Sequence, residues 1–175
     1  RSSAASDGYK RQPLYLINKE NPEEYDLIEK SLLYWQGKSG AHQGYSCTGA
    51  SSISSALGKG NEALTYLDKL FTKFLSVNTL YRESGPVIET PLSAAQSIHD
   101  MLLQSWGGKL RIFPAVPDSW KDIAYKDFRA EGAFLITASR KNGKTEFITI
   151  KSLAGEPCIV VSYTHLRAHE TEADL

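Results

Sequence analysis

The sequence predicts an α+β fold in which helices come first and strands second. Apolar residues recur at helical spacing through the first hundred positions and then alternate after Gly108. Helix-capping chemistry is confined to the first part, and the Asn142-Gly143 pair, a strong two-residue hairpin signal, lies in the second. Segregation of this kind argues for helices packed beside an antiparallel sheet rather than alternating βαβ units. The expected division is a helical region over 1–106, a β region over 107–161 and a terminal stretch, 162–175, foreign to both.

Residues 1–13 read as loop. Asn21-Pro22-Glu23-Glu24 starts the first helix: Asn caps, Pro suits the first helical position, and Glu favours the positive end of the dipole. Leu27, Ile28, Leu32 and Trp35 then supply its inward stripe, and Gly37 to Gly44 ends it. "ASSISSAL" at 50–57 is a small-residue helix that a neighbour can approach closely. "GKGN" at 58–61 turns the chain, with Asn61 able to cap a helix carrying Ala63, Leu64, Leu67, Leu70, Phe71 and Phe74, so that the pair forms an antiparallel hairpin. Thr90 is expected to cap a further helix with Pro91 at its first position and Ala95, Ile98, Met101 and Leu102 inward, ending at Trp106-Gly107-Gly108. "KLRIFPAVP", "GAFLITASR", "KTEFITIKS" and "PCIVVSY" are the strand candidates.

Composition narrows the function. Apolar residues make up 41%, and 20 basic residues balance 20 acidic ones. A globular chain is implied, without the basic stripe of a nucleic-acid binder. No apolar run approaches the ~20 residues of a membrane span. Cys47 and Cys158 read as two free buried thiols, not a disulfide or a metal site. No zinc spacing, phosphate loop or Ser-His-Asp order is present, so neither metal nor cofactor is expected. The chain opens on Arg1 with no signal-like apolar core, and its natural start is expected upstream. "SYTHLRAHETEADL" continues no strand pattern and resembles a translated sequencing adapter; the His165/His169 pair within it is set aside for the same reason.

Four stretches, "NTLYRESGPVIET", "MLLQSWGGKLRIFPAVPDSW", "FRAEGAFLITASRKNGK" and "IKSLAGEPCIV", resemble the C-terminal part of glycoside hydrolase family 95, the α-L-fucosidases, α-L-galactosidases and their relatives. "GYS" at 44–46 and "LGKGNEAL" at 57–64 are similar to that family's penultimate helix pair, so the likeness covers about residues 40–160. It implies helical hairpins from the end of an (α/α)6 barrel followed by an antiparallel β-sandwich-like region. It also implies an oligosaccharide or glycan substrate, inversion at the sugar carbon, and an extracellular or periplasmic home. The helix bearing the family's general acid would lie upstream, so this piece alone is expected to be inactive.

Where the family carries "IDGNFG", this chain has "IETPLS", and the water-activating Asp falls on Glu89. The carboxylate is kept with one more methylene, while the Gly, Asn and Phe are lost. Glycosidases place two acidic groups about the scissile bond, and in inverting enzymes one of them activates water. An acid at a helix N-terminus is favoured in its ionised form, as a base requires; the plain alternative is an acid that only complements the dipole. Glu83 replaces the family's upstream His and could contact sugar hydroxyls or pair with its neighbour Arg82, which could itself hold a polar substrate. His42, Tyr45 and Ser46 enter a helix from a Gly-rich loop of the kind that lines clefts. Tyr45 stands where the family has Trp and could stack on a sugar ring. Trp35, Trp106 and Trp120 read as core, and His99 as a hydrogen-bonded packing residue. Two rivals remain: a carbohydrate-binding relative that uses the same cleft without cleaving, and a purely structural module.

Overall fold

The computed structural model describes residues 15–38, 40, 42–82 and 88–162. Four helices precede two small sheets among these residues, a mixed α+β architecture. Helix α1 spans Pro22–Gln36. The Asn21 side chain accepts from the Glu23 N–H at 3.0 Å, the cap the sequence predicts. Ile28 and Leu32 are buried, but Leu27 is 48% exposed and lies off the inward stripe. Trp35 is half-buried, with its ring against Gly49, where a Cβ would press on it.

Helix α2, Gly44–Leu57, begins six residues before "ASSISSAL", and almost all of it is buried. Gly58, in the left-handed region at φ 83°, ends it. Its N–H donates to the Ser55 carbonyl at 3.0 Å and that of Lys59 to the Ser54 carbonyl at 2.8 Å. Helix α3, Gly60–Lys73, returns antiparallel, with Ala63, Leu67 and Leu70 buried and Phe71 42% exposed.

Helix α4 is Glu89–Leu102. Thr90 is not its cap; it lies within the first turn and is fully buried. Pro91 is the third helical residue, where its missing N–H costs nothing because first-turn amides have no intrahelical acceptor. The inward face is Ala94, Ser97, Asp100 and Met101, not Ala95, which is exposed.

Helices α2 and α4 run parallel, as the contacts between them show. Ser97 Oγ donates to the Thr48 carbonyl at 2.9 Å and meets Ser52 Oγ at 3.0 Å, and Gln104 Nε2 donates to the Ser55 carbonyl at 2.8 Å. The pairs advance together along both helices, and small side chains on α2 permit the approach.

The helix stops at Leu102, short of the expected Trp106, because Leu103–Trp106 is already strand β1. It pairs antiparallel with β2, Lys109–Ile112, through a two-residue turn whose Gly107 and Gly108 both take left-handed φ, 61° and 69°. β3 (Ile123–Ala130), β4 (Phe134–Lys141) and β5 (Lys144–Ser152) form an antiparallel sheet, with Asn142-Gly143 as the predicted hairpin turn. β3 escapes sequence reading because a bulge between Tyr125 and Phe128, with Asp127 at φ 54°, breaks its alternation. β6, Ile159–Ser162, adds to β2 in parallel, so the first sheet is mixed.

Helices and sheets share one seam. The Phe113 and Ala115 N–H groups donate to the Leu102 and Met101 carbonyls, at 2.8 and 3.2 Å, satisfying the helix end. A Cβ on Gly60 would overlap the Ala115 carbonyl, so only glycine admits this crossing. Asn61 does not cap α3. Its Nδ2 donates to Asp118 Oδ2 at 2.8 Å and its Oδ1 accepts from the Asp118 N–H at 2.9 Å, clamping the loop after β2. Ile98 and Trp120 pack against both the α2–α3–α4 core and the β core. Cys47 is buried as read, whereas Cys158 is exposed. Among the described residues no helix is long and apolar enough to cross a membrane.

Candidate functional site

The topology gathers the candidate residues at one end of the helical layer. Because α2 and α4 are parallel, Tyr45 and Glu89 both occupy first turns at the same end. Antiparallel α3 finishes there. Lys69, in its last turns, approaches His42 Nδ1 to 3.1 Å across the start of α2. With lysine donating, Nδ1 accepts and the ring proton sits on Nε2, which is buried without a hydrogen-bond partner. The chain then turns back through a short hairpin in which Leu75 bridges Tyr81, bringing Arg82 to this end.

The individual residues differ in what they can do. Glu89 is exposed in the first turn of α4. Tyr45 is 52% exposed. Arg82 is exposed, and its Nε donates to Ser76 Oγ at 3.0 Å. Ser46 is buried and its Oγ accepts from the Gln43 N–H at 3.3 Å, so it serves the helix start and does not reach outward. Glu83 lies outside the described residues, as do 163–175, which include His165 and His169. A carboxylate, an aromatic side chain and an imidazole at one end of the helical layer are groups of the kind that activate water and seat a sugar ring. Among the described residues no three His, Cys, Asp or Glu side chains gather closely enough to hold a metal.

Two buried polar clusters were not legible as such. Asp100, on the inward face of α4, is 6% exposed, and burial raises its carboxyl to about 6. Hydrogen bonds from Gln96, at 2.6 Å, and Ser52 act in the opposite direction without cancelling the rise. The signal was present as a polar stripe at 93, 96, 97, 100 and 104, which reads equally well as a solvated face.

Arg111 is the other. It is 1% exposed, donates to the Trp106 carbonyl at 2.8 Å, pairs with Glu20 at 2.5 Å and lies 3.3 Å above the Trp106 ring. Tyr15 stacks on the same indole at 5.1 Å, and Trp106 Nε1 donates to Gln104 Oε1 at 3.2 Å. Hydrogen bonds from Lys109 and Arg111 hold the Glu20 carboxyl below its usual range. Burial lowers neighbouring Lys19 to about 8, with Arg111 adding to the fall. These contacts fasten residues 15–20 onto the β1–β2 hairpin.

His99 does not hydrogen-bond as expected. Its Nδ1 is buried and unpartnered, and its ring stacks on Phe128 at 4.9 Å. Burial lowers its pKa, which suits a neutral ring in that stack.

Comparison with known proteins places the strands. Residues 104–175 match the family model for the C-terminal domain of glycoside hydrolase family 95. The match runs on through Ser162 to Leu175, the stretch expected from its pattern to be foreign. No curated protein matches the chain.

Proposed function

We propose that this chain, which carries the C-terminal domain of glycoside hydrolase family 95 over residues 104–175, contributes the water-activating side of an α-L-fucosidase-like, inverting active site. The family sets a glycosidase context and a glycan substrate. The finer reading rests on one observation: parallel α2 and α4 bring the first turns holding Tyr45 and Glu89 to the same end, where Lys69 of α3 meets His42, just before α2, and the turn after α3 brings Arg82.

In this reading Glu89 takes a proton from the attacking water, Tyr45 supports the sugar ring, and Arg82 and Glu83 hold its hydroxyls. The acid that protonates the leaving oxygen sits on a helix outside these 175 residues, and the whole forms an (α/α)6 barrel working outside the cytoplasm. A general base contributes about 10²–10⁴-fold to rate. Glu89→Gln in the full-length parent should therefore lower kcat on an aryl α-L-fucoside by at least about a hundredfold with KM little changed. Unchanged kcat removes Glu89 from the reaction. A parent that binds fucosides but turns none over, with or without the substitution, supports the carbohydrate-binding alternative, which the replacement of "DGN" by "ETP" favours.

A further inference from the structure

A concavity lies at the end of the helical layer opposite Tyr45 and Glu89. It is a groove of about 290 Å³ between α1 and the start of α3, floored by the end of α2. One wall is aliphatic, formed by Leu32, Leu33 and Leu57; Thr65 and Tyr66 line the far side. Along its edge Lys59 sits between two carboxylates, bonded to Glu29 and 3.4 Å from Glu62. Leu33 is 61% exposed, a large apolar side chain held open to water beside a charged row.

We infer that this groove is a binding subsite for a single hydroxylated ring, a pyranoside unit of a glycan, separate from the rim that holds Glu89. Its size lies at the lower limit of small-ligand pockets, roughly 300 Å³. That suits one ring rather than a chain. The aliphatic wall matches the C–H face of a pyranose, and the edge offers donors and acceptors for its hydroxyls. Each carboxylate has about four acceptor positions, and one ammonium does not use them all. Thr65 Oγ1 donates back to the Asn61 carbonyl at 2.9 Å, which leaves its lone pairs to accept. Two carboxylates against one ammonium leave too little net charge to select a phosphate or a polycation. An apolar helix laid in the groove would strip water from the ionic row, which disfavours that occupant.

The test is a titration of the full chain, isotopically labelled, with methyl α-L-fucopyranoside and methyl β-D-galactopyranoside at millimolar concentrations, with glycerol as the control. Saturable amide shifts are expected across 29–33 and 57–66. Leu33→Asp should weaken apparent affinity at least fivefold and Glu62→Gln at least threefold; both side chains are exposed, so the spectrum elsewhere should keep its dispersion. The inference is overturned by shifts that do not saturate, by shifts confined to 42–46 and 89–92, by equal shifts with glycerol, or by affinity that both substitutions leave intact. It does not depend on Glu89, so loss of the catalytic reading leaves it standing.

Discussion

Asp100→Asn should stabilise the protein at neutral pH, although it removes a charge that is hydrogen-bonded. The carboxyl is 6% exposed and its ionisation is pushed from 3.8 to about 6, burial being the largest cause. A carboxyl whose folded pKa is raised contributes stability in its protonated form. That contribution is complete below about pH 4, falls as pH rises through about 6, and is gone above it. A rise of about two units corresponds to about 3 kcal/mol. Asparagine keeps the shape, its oxygen accepts from Gln96 as the acid does, and it carries no charge to desolvate. The variant should therefore gain up to about 3 kcal/mol over the parent sequence at pH 7–8 and match it near pH 4. Urea unfolding followed by tryptophan fluorescence at unit steps from pH 4 to 8 measures this. The difference between the two proteins isolates Asp100 from every other titrating group. If Asp100→Asn is less stable by 1 kcal/mol or more at pH 7–8, or if the difference does not change with pH, the ionised carboxylate is what the fold uses and the argument fails.

The seam between helices and sheets offers two further tests. Gly60→Ala forces a methyl into the Ala115 carbonyl and should cost about 2 kcal/mol or more, read by the same unfolding assay, because backbone on both sides must move. Arg111→Ala should cost roughly 3 kcal/mol, since it empties a buried site and removes the contact with Trp106 and the pairing with Glu20. Glu20→Gln should cost about 1 kcal/mol or less, because that side chain is 46% exposed and glutamine still accepts. Equal losses for Arg111→Ala and Glu20→Gln would show that the pair, not the buried guanidinium, sets the energy.

What could be read beforehand followed from local rules. Asn21, Gly58 and Asn142-Gly143 each fixed a cap or turn through backbone chemistry that needs no neighbours, and each stands where the pattern put it. Thr90 and Asn61 misled because each satisfies the same local grammar while its side chain is claimed by distant chain, the helical core for one and Asp118 for the other. Leu103–Trp106 looked like the end of a helix because four residues are too few to show a period; pairing with Lys109–Ile112 made them a strand. The convergence of His42, Tyr45, Arg82 and Glu89 on one rim was implied by the hairpin order. Its physical cause, the direct contact of α2 with α4, depends on the bonds of the Ser97 hydroxyl to the Ser52 hydroxyl and the Thr48 carbonyl, 45 and 49 residues away, which no periodicity reveals.

The crossing of Gly60 under Ala115 and the Asn61–Asp118 clamp bear on how this polypeptide can be divided. A scissor cut between residues 106 and 107 looks natural on paper, yet it severs a hairpin and strips the covering from the last turn of α4. Neither product would inherit a finished hydrocarbon interior, since Ile98 and Trp120 serve both. Chimeras that borrow the strands of a relative must therefore bring along the final helix and the turn at 58–61, or the graft will have nothing to sit on.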